Sequence, residues 1–147
     1  SRLPPIHDIS TDLIDPPEFD HLIEVRGRHS NDLTSSDEER QQQAIAYPAI
    51  KTLRTGRDLN ESFDRVLAVA TAMDWEIVHS DRRAGIVEST ATTFWFGFKD
   101  DVVIRIRDAG GASLIDLRSV SRVGMSDLGT NAARIARFLQ NFDAKNE

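Results

Sequence analysis

Between Trp75 and Ser121 four strand-like runs follow one another with only short joints between them, and this succession constrains the fold more than any other feature. The runs are Trp75 to His79, Gly85 to Phe98, Asp101 to Arg107 and Ser113 to Ser121. Two of the joints, Ser80-Asp81-Arg82-Arg83-Ala84-Gly85 and Asp108-Ala109-Gly110-Gly111, are rich in turn formers, so they predict hairpins and an antiparallel meander. The second run is long for one strand and calls for a bulge or bend. Strand alternation puts Val102, Ile104 and Ile106 on one face, opposite Val103, Arg105 and Arg107. Ile115 and Leu117 likewise oppose Asp116 and Arg118, so one face of the sheet is apolar and the other charged.

A helix precedes the meander and another follows it. Leu59, Phe63, Val66, Leu67, Ala70 and Met73 recur at three- and four-residue steps from about Asp58 to Met73, with Asp58 and Glu61 at capping-box spacing. From about Ser126 or Asp127 to Phe142, a stripe of Leu128, Ala132, Ile135, Phe138, Leu139 and Phe142 leaves Arg134 and Arg137 off it. The tail from Asp143 to Glu147 is expected to fray. The expected architecture is α+β: a two-layer sandwich of a four-stranded antiparallel meander sheet and two helices, in helix-strands-helix order, with both helices on the apolar face.

Residues 1–50 read as an extended, mostly irregular acidic arm and residues 51–147 as the α+β domain. Four of the five prolines (Pro4, Pro5, Pro16, Pro17) fall in the arm, which has no sustained period of 2 or 3.6. His21-Leu22-Ile23-Glu24-Val25 predicts one short strand, and Ser35 to Ala46 one short helix capped by Ser36 with Glu39 three residues on. Pro48 holds Tyr47 extended. The arm carries four arginines against ten acidic residues and supplies the whole net charge of −6, whereas the remainder is balanced.

At 147 residues the chain fits one domain that buries roughly 70% of its unfolded surface without staples. Net acidity disfavours nonspecific nucleic-acid binding, because the phosphate backbone repels it. With no cysteine there is no disulfide, thiolate metal site or cysteine nucleophile. No run of eighteen apolar residues exists, so no transmembrane span is expected within the sequence. The chain starts at Ser1-Arg2-Leu3 without an initiator Met, as a processed or truncated chain would, which leaves room for a signal or anchor upstream.

The densest polar cluster runs from Asp116 to Asn131. Asp116 and Arg118 share a strand face that Arg105 and Arg107 join if the Gly110-Gly111 hairpin pairs the two strands, while Ser119 and Ser121 point the other way. Gly124 and Gly129 flank Ser126-Asp127 at the start of a helix, where free amides and the helix dipole favour anions, and Arg122 sits beside that terminus. Arg105, Arg118, Ser119, Ser121, Arg122, Ser126, Asp127 and Asn131 are therefore the candidate ligand-binding residues for a carboxylate, phosphate or sulfate. The plainer reading has Ser126 or Asp127 as a cap, the glycines as turn formers, and Asp116 and Asp101 neutralising the arginines.

Other groups are weaker. Asp100 and Asp101 point to opposite faces and lack further ligands, so no metal or cofactor is expected. Phe94, Trp95 and Phe96 are expected in the core or on a lipophilic pocket wall. Glu88 has the parity of Ile86 and reads as a half-buried carboxylate with a raised pKa or an arginine partner, or as a sheet-edge glutamate. His7, His21, His29 and His79 have no metal-ligand spacing, and no nucleophile elbow, phosphate loop or dinucleotide fingerprint occurs.

Several segments together resemble the domain-of-unknown-function 1499 family: Pro5 to Asp12, Tyr47-Pro48, Gly97 to Arg105, Asp116 to Gly124 and Ser126 to Asn131. The Arg118 to Asn131 stretch carries the most specific likeness. The resemblance implies no established activity and no catalytic residue. It implies a periplasmic or membrane-proximal location behind an N-terminal hydrophobic segment, with the cytoplasm as the alternative. It also implies that the arm docks on the domain.

Three functions are open to such a chain. One is a non-catalytic binding domain for a small anionic or amphipathic ligand, with arginines for the charge and Phe94, Trp95 and Phe96 for an apolar part. A second is a hydrolase or isomerase using Glu88, Asp101 or Asp116 as base with arginines as stabilisers. A third is a structural or protein-interaction module whose polar corner stitches strand to helix. The sequence favours the first over an enzyme and leaves the oligomeric state open.

Overall fold

Asp58 accepts a hydrogen bond from the Glu61 amide and so starts the first long helix of a computed structural model that describes residues 6–124 and 129–144. Along the chain the described residues form β1 (Asp8–Ser10), α1 (His21–Val25), α2 (Asp37–Ala46), β2 (Leu53–Thr55), α3 (Leu59–Ala72), β3 (Glu76–Asp81), β4 (Ile86–Thr92), β5 (Lys99–Ala109), β6 (Ala112–Ser121) and α4 (Thr130–Asp143). The expected meander is present, with β3, β4, β5 and β6 pairing antiparallel in chain order.

The sheet is larger than the four strands expected. β1 and β2 both pair antiparallel with β6, giving six strands, and the arm adds the helices α1 and α2. The arm is thus partly regular structure, and its first described residues extend the sheet. β1 is too short to show a period, which is why the sequence alone places it in an irregular stretch.

α3 and α4 lie on one face, as their apolar stripes require. Phe63, Val66 and Ala70 of α3 and Ile135, Phe138 and Phe142 of α4 pack with Val87, Val102, Ile104, Ile106, Ile115 and Leu117 of the sheet. Trp75 closes this core by stacking on Phe138, with ring centroids 5.3 Å apart. The opposite face holds a small apolar cluster of Phe19, Leu22, Val103 and Val120, surrounded by charge.

Three local expectations are corrected. His21–Val25 is a helix rather than a strand, because the Glu88 side chain caps it from the sheet. The second run ends at Thr92 rather than Phe98, since Thr93 closes a turn: its amide donates to the Phe98 carbonyl at 2.8 Å, and its carbonyl accepts from the Gly97 amide at 3.0 Å. The irregularity expected in that run falls instead in β3, between Ile77 and His79. The helix expected at Ser35 to Ala46 forms with the full capping box of Ser36 and Glu39.

Candidate functional site

Alternation along β5 and β6 places Asp101, Arg105, Arg107, Asp116 and Arg118 on the face away from α3 and α4, as expected. The arm covers this face, and its acidic side chains meet the arginines. Arg118 Nε donates to Asp8 Oδ1 at 3.0 Å and Nη2 to Asp8 Oδ2 at 2.6 Å, while the same guanidinium donates to the Pro17 and Leu33 carbonyls and lies over the Phe19 ring. Arg105 and Arg107 share Asp116, at 3.4 and 2.9 Å, and both reach Asp12. Asp116 also accepts from the hydroxyls of Thr11 and Thr52, each at 2.6 Å.

Arg122 joins a third group. It grips the fully buried Asp101 with Nε and Nη2, each at 2.9 Å, and Arg26 from the arm donates to the same carboxylate at 2.8 Å. Thr90 donates to Asp101 at 3.0 Å. The hydrogen bonds that Arg122 donates to Asp101, outweighing burial, hold the guanidinium above its ordinary pKa. At Asp12 burial pulls the carboxyl upward, but the amides of Asp15 and Ile14 and the charges of Arg105 and Arg107 together outweigh it, so its pKa lies below the ordinary value.

Glu88 lies inside the sheet rather than at its edge, since β4 is flanked by β3 and β5. Fully buried, it accepts from the amides of Asp20 at 2.8 Å, His21 at 2.9 Å and Leu22 at 3.2 Å, and so caps α1 from the sheet. A carboxylate is an acceptor only, which matches three donors pointing at it.

The sheet separates Ser119, Ser121 and Asn131 from Arg105, Arg118 and Arg122. Ser119 and Ser121 face α4, where Ser119 donates to Asn131 Oδ1 at 2.6 Å and Asn131 Nδ2 donates to the Ser121 hydroxyl at 2.8 Å. Arg134 binds there too, to Asn131 Oδ1 and to Asp100, each at 2.8 Å. Asp100 and Asp101 therefore do point to opposite faces. Ser126 and Asp127 lie outside the described residues, and Gly129, with φ +83°, stands at the N-cap position of α4.

Sequence reasoning missed the arm's share of this network: Asp8, Thr11, Asp12 and Arg26, together with Gln43. The Gln43 side chain accepts from the Ser10 amide at 3.0 Å and donates to the Ser10 carbonyl at 2.7 Å, standing in for a strand along the outer edge of β1. A usable signal existed, because an arm carrying the whole net negative charge beside a strand face rich in arginine is electrostatically complementary to it. The recess next to Arg118, lined by Asp8, Ser10, Arg40 and Gln43, has a volume of about 10 Å³, room for roughly one water molecule.

The aromatic run departs most from expectation. Phe94, Trp95, Phe96 and Phe98 are neither core nor pocket wall but stand at the β4–β5 tip, 87%, 84%, 77% and 51% exposed. They touch one another: Phe94 meets Trp95 edge-on at 4.9 Å, and Phe96 stacks on Phe98 at 5.6 Å. Gly97, with φ +64°, supplies the left-handed residue this turn needs. The Arg122 amide donates to the Lys99 carbonyl at 3.1 Å, which puts the strand-to-helix corner and the exposed Val123 at the same end of the sheet. Among the described residues no group of three His, Asp or Glu side chains is placed to hold a metal ion, and no helix is long and apolar enough to cross a membrane.

A family model described as "Protein of unknown function (DUF1499)" matches residues 8–142. No curated protein matches the chain. Similar solved structures include CalU16 from Micromonospora echinospora, 11% identical with a TM-score of 0.41, covering 62% of this chain and 72% of that one. Another is TTHA0849 from Thermus thermophilus, 7% identical with a TM-score of 0.35, covering 62% of this chain and 90% of that one.

Proposed function

The chain belongs to the DUF1499 family, proteins of unknown function, and from that premise we propose that it is a non-catalytic binding domain for an amphipathic ligand, held at the aromatic β4–β5 tip. The observation that carries this reading is the exposure of Phe94, Trp95, Phe96 and Phe98 on one turn, as two touching ring pairs. Large contiguous apolar patches are uncommon on solvated surfaces unless something covers them. The ligand's polar part would lie toward Lys99 and the Arg122 corner, which flank the tip.

The arginine constellation is weighed differently. An incoming anion at Arg105, Arg118 or Arg122 would compete with Asp116 and Asp12, Asp8 or Asp101, carboxylates held in place by the chain itself. This supports a structural role for the paired arginines and an apolar basis for binding. The same pairing bears on the enzyme alternative, since a general base must reach substrate. Glu88, Asp101 and Asp116 are fully buried, with oxygens engaged by amides, guanidiniums and hydroxyls.

The test uses dodecylphosphocholine below its micelle-forming concentration. Of the two tryptophans, Trp75 is buried and Trp95 exposed, so iodide-quenchable emission reports the tip. Binding should shift that emission to the blue and protect it from iodide, and Phe94→Ser/Phe96→Ser should abolish both effects. An unchanged Trp95 signal in the wild-type chain would sink the reading.

A further inference from the structure

Resting on the reading of the tip as a binding surface, we propose that its occupant is the interface of a lipid bilayer, which the β4–β5 tip enters as a peripheral anchor. Four observations converge on this. From Thr92 to Phe98 no residue is charged, so seven consecutive residues can leave water without stripping an ion of its hydration. The first charge beyond them is Lys99, exposed at the base of the tip, where a cationic side chain can stay among headgroups while its stem lies along the apolar boundary.

The residues that close the tip, Thr93, Gly97 and Phe98, also bond backbone groups among themselves, which leaves fewer of them to be stripped of water. Thr93 receives the Gly97 amide on its carbonyl at 3.0 Å and the Phe98 amide on its hydroxyl at 2.8 Å, and its own amide donates to the Phe98 carbonyl at 2.8 Å. Polar backbone groups at membrane depth are tolerated when bonded internally. Finally, Trp95 suits the boundary between headgroups and acyl chains, where its ring can be buried with the indole N–H wet, and the three phenylalanines add apolar area beside it.

A second copy of the chain fits less well. At about 150–250 Å² for each aromatic side chain, the exposed part of the four amounts to roughly 600 Å², short of the about 800 Å² per partner of a standard stable interface. A fluid bilayer needs no matching shape, and a projecting tip can enter it fully.

The experiment is co-sedimentation of the full chain with vesicles of pure phosphatidylcholine, read alongside quenching of Trp95 by phosphatidylcholine brominated near the head of its acyl chains. Binding is expected on this uncharged lipid, with Trp95 emission quenched and partitioning reduced at least about tenfold by Phe94→Ser/Phe96→Ser, substitutions at positions outside the core. Circular dichroism confirms that the variant is folded. Absence of vesicle binding, or binding that the double substitution leaves unchanged, overturns the proposal. So does a dimer in analytical ultracentrifugation that the same substitutions dissolve, which would assign the tip to a second copy. Protection by monomeric dodecylphosphocholine without vesicle binding would refute the bilayer and keep the amphipathic-ligand reading, whereas loss of both refutes both.

Discussion

Asp8 and Arg118, 110 residues apart, form a buried two-pronged ion pair across adjacent strands although neither is the other's register partner. Asp8 stands opposite Val120 and Ser10 opposite Arg118, so the guanidinium reaches diagonally along the arm-facing side of β6. The pair ties the first described strand to the last.

Breaking that pair from either side leaves an uncompensated buried charge. Arg118→Met and Asp8→Asn should each cost about 3–5 kcal/mol, measured by urea denaturation. The double variant should lose clearly less than the two single losses together, because the second substitution removes the charge the first one orphaned. Strict additivity in the four-protein cycle would show that the two side chains do not act as a pair.

Glu88 predicts a local effect. Replacing it by glutamine turns one of two acceptor oxygens into a donor facing backbone amides that also donate, at a cost of about 1–3 kcal/mol. Hydrogen exchange at the amides of Asp20, His21 and Leu22 should accelerate in Glu88→Gln more than exchange in α3. Unaltered protection of these three amides would mean that α1 is held by its packing alone.

Asp12 gives the pH dependence a sign. Its folded-state pKa lies below the ordinary value, so its contribution to stability is fully present above about pH 4 and is lost as pH falls through the depressed value. Asp12→Asn should therefore be less stable than the wild type at pH 7 by about 1 kcal/mol, a modest figure because the site is partly exposed. The gap should close as both proteins are acidified below pH 4. A difference that stays constant from pH 7 to pH 3 would contradict this.

The α3 and α4 stripes, the β3 to β6 meander and the two faces of β5 and β6 were legible in the sequence because each follows from spacings of a few residues. So were the caps at Ser36 and Asp58, where one side chain meets an amide three positions away. The candidate site was legible in half. The arginine face was correctly located, but its partners were not, since Asp8, Asp12 and Arg26 are chosen by register and docking rather than by any local pattern. Alternation in the sequence turns Ser119 and Ser121 away from Arg118, and they do face away; that Asn131 of α4 meets them there was decided by helix docking.

The sequence by itself therefore determined the α+β class, the order of the long elements and which sheet face is apolar and which charged, all set by short-range periodicity and turn chemistry. Tertiary structure decided the rest. It made His21–Val25 a helix by aiming Glu88 at its first amides, because a five-residue segment has no period long enough to choose for itself. It recruited Asp8–Ser10 as a strand because the open edge of β6 and the charge on Arg118 were waiting for them. It turned four aromatics outward because Thr93 and Gly97 close the chain just where alternation along a continuing strand would have sent Phe94, Phe96 and Phe98 to one face and Trp95 to the other.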